Sequence, residues 1–182
     1  RNILLVDAWA KQLPNLSGPR IDQHPGESLG AYRHRSQPHW GLAEWVADSC
    51  IRRRANMLIV ENKNRAPDVI REIKKLFSDR DWGVRAIDIK GDKWGRASAI
   101  TDIFTDDMVY APAEITEEGD VRWQDWAQEA MEQIGKFPRG GNDDIVDSMT
   151  MAMKFLRDNG WAIRRDERSA MEEERMRFKG SE

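Results

Sequence analysis

The apolar residues of this chain change period along its length, from short continuous runs to spacings of three and four, and back again. Asn2–Trp9 (NILLVDAW) and Met57–Val60 are unbroken β-rich runs and predict strands, as does Trp82–Ile89, where Val84, Ala86, Ile87 and Ile89 roughly alternate. Between them, Trp40–Arg53 carries Leu42, Trp45, Val46 and Cys50 at helical spacing and ends on Arg52, Arg53 and Arg54, cations that suit a helix C-terminus. Pro67–Ser78 places Val69, Ile70, Ile73, Leu76 and Phe77 on one face, with Pro67 and Asp68 suited to a first turn. Further helices are predicted over Trp94–Phe104, Val121–Ile134 and Asp143–Arg157, and a short strand over Met108–Ala111, stopped by Pro112. Asn142 is placed to cap the last of these helices and Asn159-Gly160 to end it. Strands alternating with helices predict an α/β domain around a largely parallel sheet. Leu13–His39, with four prolines, three glycines and little periodicity, reads as a long irregular excursion.

The 182 residues suffice for one domain with a sizeable core. A single cysteine, Cys50, excludes an internal disulfide and suggests a reducing compartment. No apolar run approaches the roughly 20 residues of a membrane span, so a soluble, membrane-free protein is expected. The net charge of −3 argues against nucleic-acid binding by bulk charge. It leaves room for a nuclease, which gathers carboxylates around metals and places its cations locally. The chain contains no phosphate-cradling Gly-x-x-x-x-Gly-Lys-Ser/Thr run and no Gly-x-Ser-x-Gly elbow. His24, His34 and His39 match no zinc-ligand spacing.

Three segments carry candidate chemistry. In NDDIVDS, Asp143 and Asp147 are four apart and Asp144 and Asp147 three apart, so carboxylates crowd one flank of a helix start. The macrodipole accounts for one or two acids there, whereas three repel one another and would be relieved by a divalent cation. Glu61 follows directly on an apolar strand, at the carboxyl end where open α/β sheets bind ligands; a solvated loop acid is the plain alternative. In KGDKWGR, Lys90, Lys93 and Arg96 with their flanking glycines form a local basic patch suited to phosphates, or else an ordinary solvated surface.

In their order these segments resemble the C-terminal nuclease domain of tailed-phage large terminase subunits. That family has a strand ending in an acid, then a polar run and a helix, matched by LIVENKNRAPDVIREI. A Lys-Gly-Asp-Lys-x-x-Arg-Ala stretch follows, matched by KGDKWGRA at Lys90–Ala97, then a short strand ending in proline, matched by MVYAP. The last segment, Phe-Pro-x-Gly-x-His-Asp-Asp-x-x-Asp-Ser/Ala, is matched by FPRGGNDDIVDS at Phe137–Ser148, with Asn142 in place of the histidine. The succession spans about Ile3–Leu156.

The resemblance implies a ribonuclease-H-like fold: a mixed central sheet flanked by helices, here including Asn2–Trp9, Met57–Val60 and Trp82–Ile89. The first strands of that fold, with the family's first catalytic aspartate, would precede Arg1, and Asp7 is not assigned that role. On this reading residues 1–158 form the nuclease domain, residues 159–182 a charged helical tail, and the chain by itself cuts little. The implied chemistry is two-metal phosphodiester hydrolysis with Mg²⁺ or Mn²⁺. Glu61 and Asp144 would be metal ligands, Asp143 a further ligand, and Asp147 a catalytic acid in or behind that set. Lys63, Lys90, Lys93 and Arg96 would hold the DNA backbone. The implied partners are double-stranded DNA, the terminase ATPase domain, the small terminase subunit and the portal, in the host cell cytoplasm. Another ribonuclease-H-like enzyme, of resolvase or transposase type, and a non-catalytic DNA- or assembly-binding module are the rivals.

Overall fold

A computed structural model describes residues 2–139 and 143–179. In chain order its elements are β1 (Ile3–Leu4), α1 (Leu29–Ser36), a 3-10 turn at Gln37–His39, α2 (Leu42–Arg52), β2 (Met57–Glu61), α3 (Ala66–Leu76) and β3 (Gly83–Ile87). There follow α4 (Lys93–Ser98), α5 (Thr101–Thr105), β4 (Val109–Tyr110), β5 (Ala113–Ile115), β6 (Val121–Trp123), α6 (Asp125–Lys136), α7 (Asp144–Asp158) and α8 (Arg165–Lys179). The class is α/β. Two compact units are present, Lys11–Ile89 on the one hand and Arg1–Ala10 with Lys90–Glu182 on the other.

In the Lys11–Ile89 unit, β2 and β3 run parallel in the register Met57↔Gly83 to Glu61↔Ile87, joined through α3. Ala43, Ala47 and Ile73 are fully buried with Cys50 and Trp82, and Val46, Leu58, Val69, Phe77 and Val84 pack around them. The two alanines leave room for α2 to lie close against α3. Burial also pushes the Cys50 thiol above its ordinary pKa, which leaves it little thiolate. Ellman's reagent is therefore expected to label Cys50 slowly in the native protein and at once in urea; fast native labelling would show that this core opens readily.

The excursion from Leu13 to His39 is more ordered than its composition suggests. Its backbone fills the start of α2: the Leu42 and Ala43 N–H groups donate to the carbonyls of Asn15 and Leu16. In return, the Glu44 carboxylate accepts from the N–H groups of Gly18 and Gly41. Helix α1, which the sequence reading missed, has no apolar face, since Leu29 is exposed. It is held by a Ser28 cap on the Ala31 N–H, by Tyr32 Oη donating to the Ile21 carbonyl, and by ion pairs. Arg35 binds both oxygens of Glu27, at 3.0 and 2.8 Å. That guanidinium, then the His24 N–H, lowers the Glu27 carboxyl from 4.5 to about 2. Because the folded value lies below the unfolded one, the stabilisation is complete above pH 4.5 and is lost as pH falls toward 2. Glu27→Gln is expected to remove this acid limb from the pH dependence of α1's amide exchange, and an unchanged limb would refute the assignment.

In the other unit, Ile100, Ile103, Met108, Met149, Met153 and Ala162 form the core, with Ile3, Leu5, Phe104, Ile134 and Leu156 against it. Ile145, Met149 and Met153, four apart, give α7 one buried face. Strands β1 and β4 pair in parallel, Ile3 with Val109 and Leu4 with Tyr110. The predicted strand Asn2–Trp9 is thus shortened to Ile3–Leu4. Its partner has only two residues, between a left-handed Asp107 (φ 53°) and Pro112, which has no N–H to donate.

The expected single mixed sheet does not form among the described residues, where the strands pair two by two: β1 with β4, β2 with β3, β5 with β6. The predicted helix Val121–Ile134 is also corrected. Gly119, at φ 88°, lets Thr116–Asp120 reverse the chain, so Val121–Trp123 pairs antiparallel with Ala113–Ile115 and the helix begins at Asp125. The predicted helix Trp94–Phe104 is two helices, broken between Ser98 and Thr101; Arg157 Nη1 donates to the Ala99 carbonyl at the break, 2.7 Å away. Asn159 and a left-handed Gly160 (φ 71°) end α7 as predicted, and α8 occupies much of the charged C-terminal stretch.

Candidate functional site

In the unit that contains α4 and α7, two helix starts carry complementary charge. Asp92 caps α4 by accepting the Gly95 N–H at 2.6 Å, after a left-handed Gly91. Lys93 and Arg96, three apart on α4, then share one flank. On α7, Asp143 stands at the N-cap position and its carbonyl accepts the Asp147 N–H at 2.8 Å, so their side chains also share a flank. The predicted Asn142 cap lies outside the described residues.

The two flanks meet. Lys93 Nζ lies 2.7 Å from Asp143 Oδ2 and 2.8 Å from Asp147 Oδ2. Arg96 Nη2 donates to the other Asp147 oxygen at 3.0 Å, and Nη1 to the Gly91 carbonyl at 2.9 Å. Hydrogen bonds that Lys93 donates, to Asp143 first and Asp147 second, raise its pKa above the ordinary lysine value. The carboxylate crowding read from the sequence is real for Asp143 and Asp147, and the chain's own cations relieve it. The basic patch and the acidic turn are one quartet of zero formal charge. Each half was legible in the sequence, as an i, i+3 cation pair and an i, i+4 carboxylate pair; their meeting was not.

Four residues of the sequence-based set stand outside this quartet: Asp144 and Lys90 in the same unit, Glu61 and Lys63 in the other. Asp144 is exposed, and its backbone carbonyl accepts from Ser148 Oγ at 2.9 Å. Lys90 is exposed as well. Beside the quartet, Trp94 stacks on Phe137, with ring centroids 6.4 Å apart and planes 10° apart. Trp94 and Phe137, with Phe104, Ile134 and Met149, line an apolar cavity of about 470 Å³.

In the Lys11–Ile89 unit, Glu61 closes β2 opposite Ile87, at the carboxyl end of a parallel strand pair. Its Oε1 is out of solvent contact and lies 2.5 Å from Lys63 Nζ. Next to it, Asn62 Nδ2 donates to Asp88 Oδ1 at 2.8 Å, and the Asn62 N–H donates to the Ile87 carbonyl. Lys63 is therefore a local partner of Glu61.

Among the described residues no three His, Cys, Asp or Glu side chains are grouped as a metal-ligand set. The oxygen pair of Asp143 and Asp147 nonetheless suits a hard divalent cation. Mg²⁺ typically uses one or two carboxylates and completes its shell with waters and substrate phosphates. Both Oδ2 atoms already converge on one positive group, the Lys93 ammonium. In this structure the Lys93 ammonium occupies the point on which the two oxygens converge.

No protein-family model, curated protein or solved structure matches the chain. No helix among the described residues is long and apolar enough to cross a membrane.

Proposed function

We propose that this chain is the nuclease domain of a tailed-phage large terminase subunit, a ribonuclease-H-like endonuclease that cuts concatemeric double-stranded DNA with Mg²⁺ or Mn²⁺. The observation that carries the reading is the convergence of Asp143 Oδ2 and Asp147 Oδ2 on a single cationic point, inside the segment that most resembles the family. The strand-end position of Glu61 supports it. Asp143 and Asp147 would hold a divalent cation, with Asp144 as a further acid on the same helix; by the resemblance, Glu61 would also be a metal ligand. Bound there, such a cation lowers the pKa of its water and offsets charge on the phosphate oxygens. Lys63, Lys90, Lys93 and Arg96 would contact the DNA backbone, which carries no sequence information and suits cutting with little base preference. The terminase ATPase domain, the small terminase subunit, the portal and the host cytoplasm belong to the same proposal.

A second reading has its own observation. The quartet is closed and formally neutral, which suits a purely structural clasp between α4 and α7 in a non-catalytic module. Mn²⁺ titration followed by electron paramagnetic resonance separates the two. The nuclease reading expects saturable binding, together with EDTA-sensitive nicking of supercoiled plasmid by the intact domain. A chain that binds neither Mn²⁺ nor DNA leaves only the clasp.

A further inference from the structure

Trp94 and Phe137 take no part in the proposed nuclease site, and they meet at the rim of the apolar cavity. At about 470 Å³ this cavity is large for a protein interior, where voids beyond the size of a water molecule are few. Its floor belongs to the core of the unit: Ile100, Val146 and Met149 are 4%, 6% and 9% exposed. Such walls hold water poorly, and apolar cavities of about 150 Å³ already bind benzene. Trp94 itself is 62% exposed, so solvent reaches the rim beside it.

The lining selects the occupant. No charged side chain is among the described lining residues, so a charged ligand would lose its hydration without gaining a partner. The Trp94 and Phe137 rings are 10° from parallel and offer flat faces to a planar ring. Of the lining hydroxyls, Thr101 and Thr150 donate to the carbonyls of Ala97 and Val146, whereas Ser98 Oγ has no partner among the described residues. The walls come mostly from helices, whose backbone groups are bonded internally and offer no ladder to a peptide main chain.

We propose that the cavity is a binding site for a small, neutral, planar aromatic molecule with one polar substituent, stacked at Trp94 and hydrogen-bonded to Ser98. The site stands apart from the nuclease reading, since none of the proposed metal ligands or phosphate contacts lines it.

Indole is the probe, titrated into protein labelled with 5-fluorotryptophan and followed by fluorine NMR, with Trp94→Phe assigning the Trp94 resonance by its loss. That resonance should shift saturably. Ala97→Leu, which adds an isopropyl group to the lining, should weaken binding roughly tenfold or more. Ser98→Ala, at an exposed position, should weaken indole by about 2–10-fold and leave benzene unchanged, and it serves if Ala97→Leu folds poorly. Phenol should bind roughly 2–10-fold more tightly than cyclohexanol, which cannot stack. Indole-3-acetate should bind roughly tenfold more weakly than indole. A shift that never saturates, a response of other tryptophans with Trp94 unmoved, or indifference to both cavity variants would overturn the site. Indole-3-acetate binding as tightly as indole, or cyclohexanol as tightly as phenol, would overturn the ligand class. Tighter binding of Gly-Trp-Gly than of indole would give the cavity to a partner's side chain and overturn the small-molecule assignment.

Discussion

On the proposed nuclease reading, Asp147→Ala is expected to abolish saturable Mn²⁺ binding and, in the intact domain, Mn²⁺-dependent cleavage, while leaving the fold in place. Asp147 is the carboxylate that meets both Lys93 and Arg96, and with Asp143 it supplies the convergent oxygen pair. Removing groups that merely orient metal ligands costs about 10–100-fold in affinity, so loss of one of two convergent carboxylates should cost roughly a hundredfold or more. Stability should respond on another scale. These ion pairs are a third or more exposed on the acid side, and such pairs contribute roughly 0.2–1 kcal/mol. For a chain of this size, where about 1 kcal/mol moves Tm by about 2–4 °C, each pair should shift Tm by at most that much. Electron paramagnetic resonance with Mn²⁺, beside a thermal melt, reads both quantities. A large fall in Tm with cation binding intact would favour the clasp reading.

Gly18→Ala is expected to destabilise the Lys11–Ile89 unit strongly. A Cβ there would stand 2.0 Å from the His39 carbonyl oxygen and 3.0 Å from its carbon, both backbone atoms that no rotamer change can clear. Retreat is blocked on the other side, because the Gly18 N–H is held by both oxygens of Glu44 at 3.0 and 3.1 Å. Overpacking usually costs about 1–3 kcal/mol, and a clash against pinned backbone belongs at or above the top of that range. Gly41→Ala should behave alike, since its Cβ would come within 2.6–2.7 Å of the Ser17 backbone. Urea unfolding measures the loss. A change below about 1 kcal/mol would mean that the segment around Gly18 is not seated on α2 as described.

These two cases mark what was legible in the sequence. Helices α2, α3 and α7 were readable because each buries a periodic face, and strands β2 and β3 because short β-rich runs stand out between helical spacings. The acids of α7 were readable as a cluster, and so were the cations of α4. That they neutralise each other was not, since the pairing depends on how α4 and α7, some fifty residues apart in the chain, pack together. Gly18 and Gly41 stood in a stretch without periodicity, where nothing local shows that a backbone passes within contact distance. Helix α1 escaped for a related reason: a helix held by a cap and ion pairs leaves no apolar stripe. The β5–β6 hairpin was hidden because Val121, Trp126, Ala130 and Ile134 happen to fit a helical period.

That hairpin has a bearing on how the chain opens. Its six residues are all exposed, Ile115 at 78% and Val121 opposite it at 64%, so the ribbon rests on its own backbone bonds. An isolated two-stranded ribbon is marginal in water. In hydrogen-exchange terms its amides belong at the low-energy end of local opening, whereas Ile103 and Met153, each about 1% exposed, belong near the global limit. A protease probing the native protein should therefore nick first near Glu117–Asp120 and leave α5 and α7 joined.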